Sequence, residues 1–245
     1  MGSIADLSCD LRQELADCET LHARIFRLRR AVTYRILFDE DDLDQAFLLR
    51  HRAYVAAGGA SERASKRLDD DYDGTPNSAV VGIWHEGVLC ASARLHLVRT
   101  PGDASPAFAT FPDVLAPLLA AGETFIDTNC FCVDPLLSGA IPEFAYLTFR
   151  IPVMAAEVAL GSLVTATVRQ GHVGFYRRLL YGRVAAPPRA YPGRTKPFTL
   201  ILVDYQLERS SIIGRSPFLA PDPGEPEAIG MDRIGRGSKR QIVHA

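Results

Sequence analysis

The residues of this 245-residue chain best suited to chemistry are a late tyrosine, a mid-chain aspartate and an acidic cluster. Tyr176 follows His172 by about one helical turn, in a short helix that Gly182 is expected to stop. A phenol placed there aims a proton donor beyond the end of the preceding strand, Ser162 to Val168. Phe175 and Leu179 share that side of the helix, and for them a buried apolar face is the simpler reading. Asp127 lies within the strand Thr124 to Val133, while Asp69, Asp70, Asp71 and Asp73 crowd into five residues. Carboxylates that close repel one another, so they are either solvated or matched by cations: an incoming amine, or Arg52 and Arg94. Arg94, in a strand otherwise made of small and apolar residues, itself needs a carboxylate partner.

The elements that must position these groups alternate along the chain. A β-branched run from Val32 to Phe38 precedes an acidic helix start at Asp39 and a helix from Leu43 to Tyr54, closed by Gly58 and Gly59. Ala79 to Trp84 and Val88 to Val98 read as an antiparallel hairpin, followed by a short helix near Phe111 to Ala120. After the Asp127 strand, a helix is expected to run to about Leu160, then the strand ending at Val168, the His172 helix, a strand around Val184 to Ala186 and a last strand from Phe198 to Tyr205. An antiparallel first half ending in strand, helix, strand predicts an α/β sheet with parallel fourth and fifth strands. The flanks differ. Residues 1–30 carry Leu7, Leu11, Leu15, Ile25 and Leu28 at mostly helical spacing, an amphipathic extension; 31–206 form the catalytic domain; 207–245 are a Pro/Gly-rich basic tail expected to be disordered.

Composition excludes several classes. A formal net charge of −2, without a basic stripe interleaved with aromatics, argues against nucleic acid as a partner. No apolar run reaches the length of a membrane span and the N-terminus lacks a signal-peptide core, so a cytoplasmic protein is expected. The five cysteines lack metal-ligand spacing, and Cys130 and Cys132 alternate along a strand so as to share a face; they read as reduced core residues, with no metal site. Cys130 has no neighbouring His or helix start in sequence to activate it as a nucleophile.

The run His172-x-x-Phe175-Tyr176-Arg177-Arg178-Leu179, followed by Pro188-Arg189-x-Tyr191-Pro192, resembles the last conserved region of the GNAT superfamily of N-acyltransferases. Within that superfamily it looks most like the long-chain N-acyl amino acid synthases, cousins of the acyl-homoserine-lactone synthases. The resemblance covers about Val32 to Tyr205 and implies a GNAT-like mixed sheet, with strands four and five splayed and helices on both faces. It implies an acyl thioester held against Phe131 and Val133 and at a loop containing Ser138 and Gly139, without a permanently bound cofactor. The usual pyrophosphate loop is missing, which favours acyl carrier protein, with its single phosphodiester, over acyl-CoA as donor. Asp70 and Asp73 resemble the acidic element of the synthases, Arg52 and Tyr54 loosely resemble their Arg-aromatic pattern, and Arg94-Leu95 matches a recurrent pair.

Asp127 falls on the Glu that these synthases use toward the amine, whereas Asn129 and Cys130 replace their Ser and Arg. An amine attacking a thioester needs a base, a donor for the oxyanion and an acid for the leaving thiolate; Asp127, a backbone amide near Val133 and Tyr176 are the candidates in that order. Arg52, Asp70, Asp73, Arg94 and His172 are the expected acceptor-binding groups, and a small amine the expected acceptor. Small residues from Val153 to Ala159 are expected to leave a hydrophobic acyl channel between the splayed strands and the helix spanning about Phe144 to Leu160. Two alternatives stay open: an acetyl-CoA-dependent acetyltransferase, and a catalytically silent binding module suggested by Cys130 and the missing loop.

Overall fold

The computed structural model describes residues 4–159, 162–191 and 194–234. Leu7, Leu11 and Leu15 form one buried stripe on α1 (Ile4–Ala16), and Ile25 and Leu28 another on α2 (Leu21–Ala31), whose first turn is capped by the Thr20 hydroxyl. After β1 (Thr33–Leu37), Asp39 caps α3 (Glu40–Ala56) by accepting the Asp42 N–H at 2.8 Å, and acidic residues fill the first turn where the helix dipole favours them. β2 (Ser78–His85) and β3 (Val88–Val98) are joined by Glu86 and Gly87, both at positive φ as a tight two-residue hairpin requires. Two proline-started helices, α4 (Pro106–Thr110) and α5 (Pro112–Ala120), lead into β4 (Thr124–Val133). Then come α6 (Pro135–Ala140), α7 (Phe144–Thr148), α8 (Arg150–Val158), β5 (Ser162–Val168) and a 3₁₀ turn continuing into α9 (Val173–Leu180). β6 (Arg183–Arg189), β7 (Phe198–Val203), α10 (Tyr205–Arg215) and α11 (Glu225–Ala228) complete the described elements, with 3₁₀ turns at Pro217–Leu219 and Met231–Arg233.

All strands join one sheet in the order β1-β2-β3-β4-β5-β7-β6, and every neighbouring pair is antiparallel except β4–β5. This is the expected α/β mixed sheet with a parallel central pair. Side-chain alternation sends Ala93, Leu95, Leu97 and Ile126 into the main core with α1, α2, α7 and α8. Arg94, His96 and Val98 point the other way, toward α3, α4 and α5. Asp127 shares that second face, because it pairs directly with His96 across β3 and β4.

The stretch from residue 207 expected to be disordered is folded as far as 234. Ile212, Phe218, Leu219 and Met231 are buried in the main core, and the fully buried Arg150 holds Glu225 through bonds of 2.7 and 3.0 Å. Composition misled here because α2, α8 and β5 supply the apolar partners this segment lacks. Residues 235–245 lie outside the described residues. The helix expected to reach Leu160 is three helices, interrupted around Pro142 and at Phe149, and Leu160 is itself outside the described residues. Beside Ala155 and Ala159, Met231 and Ile234 line a cavity of only about 10 Å³ together with Leu95, Leu97 and Ile126. Tyr181, at φ 56°, makes the left-handed end of α9 instead of Gly182. Gly182 is needed for another reason, since a Cβ there would meet Ile201 Cγ2 at 2.5 Å.

Candidate active site

The parallel pair opens where its register ends. β4 and β5 stay paired from Thr124–Ser162 to Thr128–Ala166, after which Asn129–Val133 bond only to β3. A bulge marks the opening: Arg94 pairs with Asn129 and Ser92 with Cys132, so Cys130 and Phe131 oppose the single Ala93. Cys130 takes φ 54°, a left-handed conformation uncommon for a non-glycine residue, and the bend turns β4 away from β5. Backbone groups left outside the β4–β5 ladder at such a gap require another partner.

Aromatic rings line the main-core side of the gap. Phe131 stacks on Phe149 at 5.4 Å and meets Tyr176 edge-on at 6.4 Å, while Phe149 packs edge-on against Tyr176 at 4.7 Å and Phe175 at 5.0 Å. Burial, and then the neighbouring Tyr54, raise the Tyr176 pKa above the ordinary phenol value, so its hydroxyl stays a donor at neutral pH. His172 ends the 3₁₀ turn before α9 and is exposed, apart from these rings; burial of part of the ring and then Arg169 lower its pKa.

A charged network covers the other face. Arg50 of α3 donates to Asp73 at 2.8 and 3.0 Å and to the Leu68 carbonyl at 3.1 Å. Arg94 pairs with Asp70, with Asp73 at 2.9 Å, and donates to the Asn129 side-chain oxygen at 2.7 Å. Asn129 passes the chain on, its amide 3.3 Å from His96 Nδ1, and His96 Nε2 lies 3.1 Å from the Tyr72 carbonyl. Burial, then Arg94, push the His96 pKa down to about 3, so the ring is neutral and donates from Nε2. Burial works to raise Asp73, but Arg50 and Arg94 overcome it and hold its carboxyl below the usual range. The acidic loop therefore meets Arg94, as expected, and Arg50 in place of Arg52. Arg52 donates to Asp134 at 3.0 Å on a more exposed side of α3, because residues two apart on a helix face nearly opposite ways. Arg50 was discernible in sequence only as a charge within the buried stripe Ala46, Phe47, Leu49.

Asp127 is fully buried on this face, its Oδ2 accepting from the Ser105 hydroxyl at 2.7 Å and the Ala107 N–H at 3.0 Å. Among the described residues its Oδ1 has no hydrogen-bond partner, nor has the buried hydroxyl of Tyr191, which stacks on Phe198 at 5.0 Å. Burial, with Asp127 next, raises the Tyr191 pKa; burial also raises that of Asp127, against the pull of Ser105 and Ala107. Arg194, in the β6–β7 connection, donates to Cys130 Sγ at 3.4 Å and lies 4.5 Å over the Tyr54 ring. Neither Tyr191 nor Arg194 was assigned a role from sequence, because the connection carrying them is placed over the gap only by the pairing of β7 with β5.

The expected donor groups divide. Phe131 and Val133 lie on the unpaired end of β4, whereas Ser138 and Gly139 lie inside α6 and not in a loop before it. The Ser138 hydroxyl donates to the Pro135 carbonyl at 3.2 Å, and the Asp134 carboxylate caps Leu136 N–H at 3.0 Å. A carboxylate already occupies the start of that helix, which opposes a second anion there. Among the described residues, no cluster of three or more His, Cys, Asp or Glu is arranged to hold a metal, and no helix is long and apolar enough to cross a membrane.

A mixed sheet splayed at its parallel pair, with a buried tyrosine on one side of the gap and buried carboxylates on the other, defines the chain as a GNAT-type N-acyltransferase. The family model described as N-acyl amino acid synthase FeeM matches residues 45–204, and the chain belongs to that family. Among solved structures, FeeM, an N-acyl amino acid synthase from uncultured soil microbes, is 18% identical over 76% of this chain and 97% of that one, with a TM-score of 0.62. BjaI, a CoA-dependent acyl-homoserine lactone synthase, is 15% identical over 82% and 99%, at a TM-score of 0.52. The acyl-homoserine-lactone synthase LasI is 15% identical over 75% and 95%, at 0.51. At these identities the structures share the fold. No curated protein sequence matches the chain.

Proposed function

We propose that the protein transfers an acyl group from a phosphopantetheine thioester to the amine of an amino acid. The observation that carries this reading is the gap beyond Thr128 and Ala166, with Tyr176 on one side and the unpartnered Asp127 oxygen on the other. The thioester lies along the unpaired end of β4, near Phe131 and Val133. One proton of the acceptor ammonium goes to Asp127, whose raised pKa makes it a stronger base. The freed amine attacks the thioester carbonyl carbon, the C–N bond forms, and the oxyanion is met by a backbone N–H near Val133. The C–S bond then breaks, and a second nitrogen proton ends on the sulfur. Tyr176 serves that sulfur as a hydrogen-bond donor; its raised pKa makes complete proton transfer uphill. Arg94, Asp70 and Asp73 hold the acceptor side in shape.

BjaI has been solved with isopentyl-CoA, which supports acyl-CoA as donor, while the Asp134-capped start of α6 argues against a phosphate held there and supports acyl carrier protein. Incubating the protein with acetyl, octanoyl and dodecanoyl thioesters of both carriers and the twenty proteinogenic amino acids, with mass spectrometry of the products, tests all of this. N-acyl amino acids are expected; no product from any combination would remove the proposed function.

A further inference from the structure

Beside the gap, on the α3 face, lies a cleft of about 310 Å³ lined by Ala60, Ser61, Arg63, Arg194 and Thr195. Both walls are tied down. The Arg63 N–H donates to His51 Nε2 at 3.0 Å, Thr195 Oγ1 donates to the Gly58 carbonyl at 3.4 Å, and Arg169 holds the Ala57 carbonyl at 2.9 Å. Two guanidinium-bearing residues and two hydroxyl-bearing ones line this cleft, a set that suits an anion. Which anion is decided by reach. Arg194 donates to Cys130 Sγ at 3.4 Å, at the bulge where β4 leaves β5, so an anion held by this side chain lies close to the mouth of the gap. A donor's phosphate is separated from its thioester by the whole pantetheine arm and does not fit that distance. The carboxylate of an α-amino acid, two bonds from its amine, does.

Resting on the acyltransfer reading above, we propose that Arg194, assisted by Arg63, binds the α-carboxylate of the acceptor and makes the enzyme select α-amino acids over simple amines. The Tyr54 ring lies 4.5 Å from the Arg194 Cζ and steadies the guanidinium by cation–π contact. Arg194 is then a specificity-determining residue, and its loss acts on acceptor binding, not on the thioester.

The full-length protein and its Arg194→Gln variant are tested with each proteinogenic amino acid and with the amine left by its decarboxylation. Binding is measured by calorimetry and transfer by product mass spectrometry. Arg194→Gln is expected to raise Kd and KM for amino acids about ten- to a hundredfold and to leave the decarboxylated amines unchanged, closing the gap between them. Arg194→Lys keeps the charge without the fork and falls between; Arg63→Gln, at the exposed rim, moves the same way by less and decides the matter if Arg194→Gln does not fold. Equal losses for acids and amines, or no change for either, would overturn the assignment, as would wild-type binding indifferent to the carboxylate. Wild-type protein that acylates nothing yet loses amino-acid binding on Arg194→Gln would sink the acyltransfer reading and leave the carboxylate site standing.

Discussion

Arg50 and Asp73 form a two-bonded pair, 2.8 and 3.0 Å, in which both side chains are buried, and this pair fastens the acidic loop to α3. Arg94 reaches the same carboxylate from β3 at 2.9 Å and carries the connection through Asn129 to β4 at the bulge. The loop, the helix and the splayed strand thus share one charge network.

Breaking that pair removes both Arg50 bonds and leaves the buried Asp73 carboxylate to Arg94 alone. Arg50→Met is expected to destabilise the fold by about 2–4 kcal/mol in denaturant titrations, less than the loss of a sole partner. Arg52→Ala, which removes a largely exposed partner of Asp134, is expected to cost at most about 1 kcal/mol. Similar costs for the two would mean that Arg50 does not bear the loop.

The buried His96 gives stability a pH dependence of known sign. Its folded pKa of about 3 lies below the ordinary 6.5, so its contribution is full above the unfolded value and is lost as pH falls from about 6.5 toward 3. The expected loss approaches about 1.4 kcal/mol per pH unit below 6. Thermal melts of wild type and His96→Asn between pH 7 and 5 should show a shallower decline in the variant. Parallel declines would exclude His96 as the source.

Asp127→Asn keeps an oxygen for Ser105 and Ala107 but removes the base, so turnover should fall on the order of a hundredfold or more while thioester binding and folding persist. Wild-type rates at saturating acceptor would take Asp127 out of the mechanism.

Tyr176→Phe retains the ring packed on Phe149 and loses one donor. Single-turnover transfer should slow about ten- to a hundredfold, with stability changed by no more than roughly 1.5 kcal/mol. A large drop in melting temperature with undiminished transfer would make the hydroxyl purely structural.

The C-terminal segment should behave as part of the core. Glu225→Ala leaves Arg150 buried without its carboxylate and is expected to cost about 3–5 kcal/mol in denaturant melts, against nearly nothing for a dispensable tail.

Much of the fold was legible in the chain itself, because its signals are local. The period of Val88 to Val98 and the acidic helix start at Asp39 each act within a few residues, and the strand-helix-strand order after β3 dictates a parallel pair. Asp70, Asp73 and Arg94 announced their need for one another through charge alone. Only the tertiary structure decided the rest. Arg50 displaced Arg52 because α3 turns a single face to the sheet. The bulge at Cys130 depends on register against β3, and the placement of Tyr191 and Arg194 over the gap depends on β7 pairing with β5. Residues 205–234 fold because distant elements cover apolar side chains too sparse to cluster alone, a quantity that no local window of sequence contains.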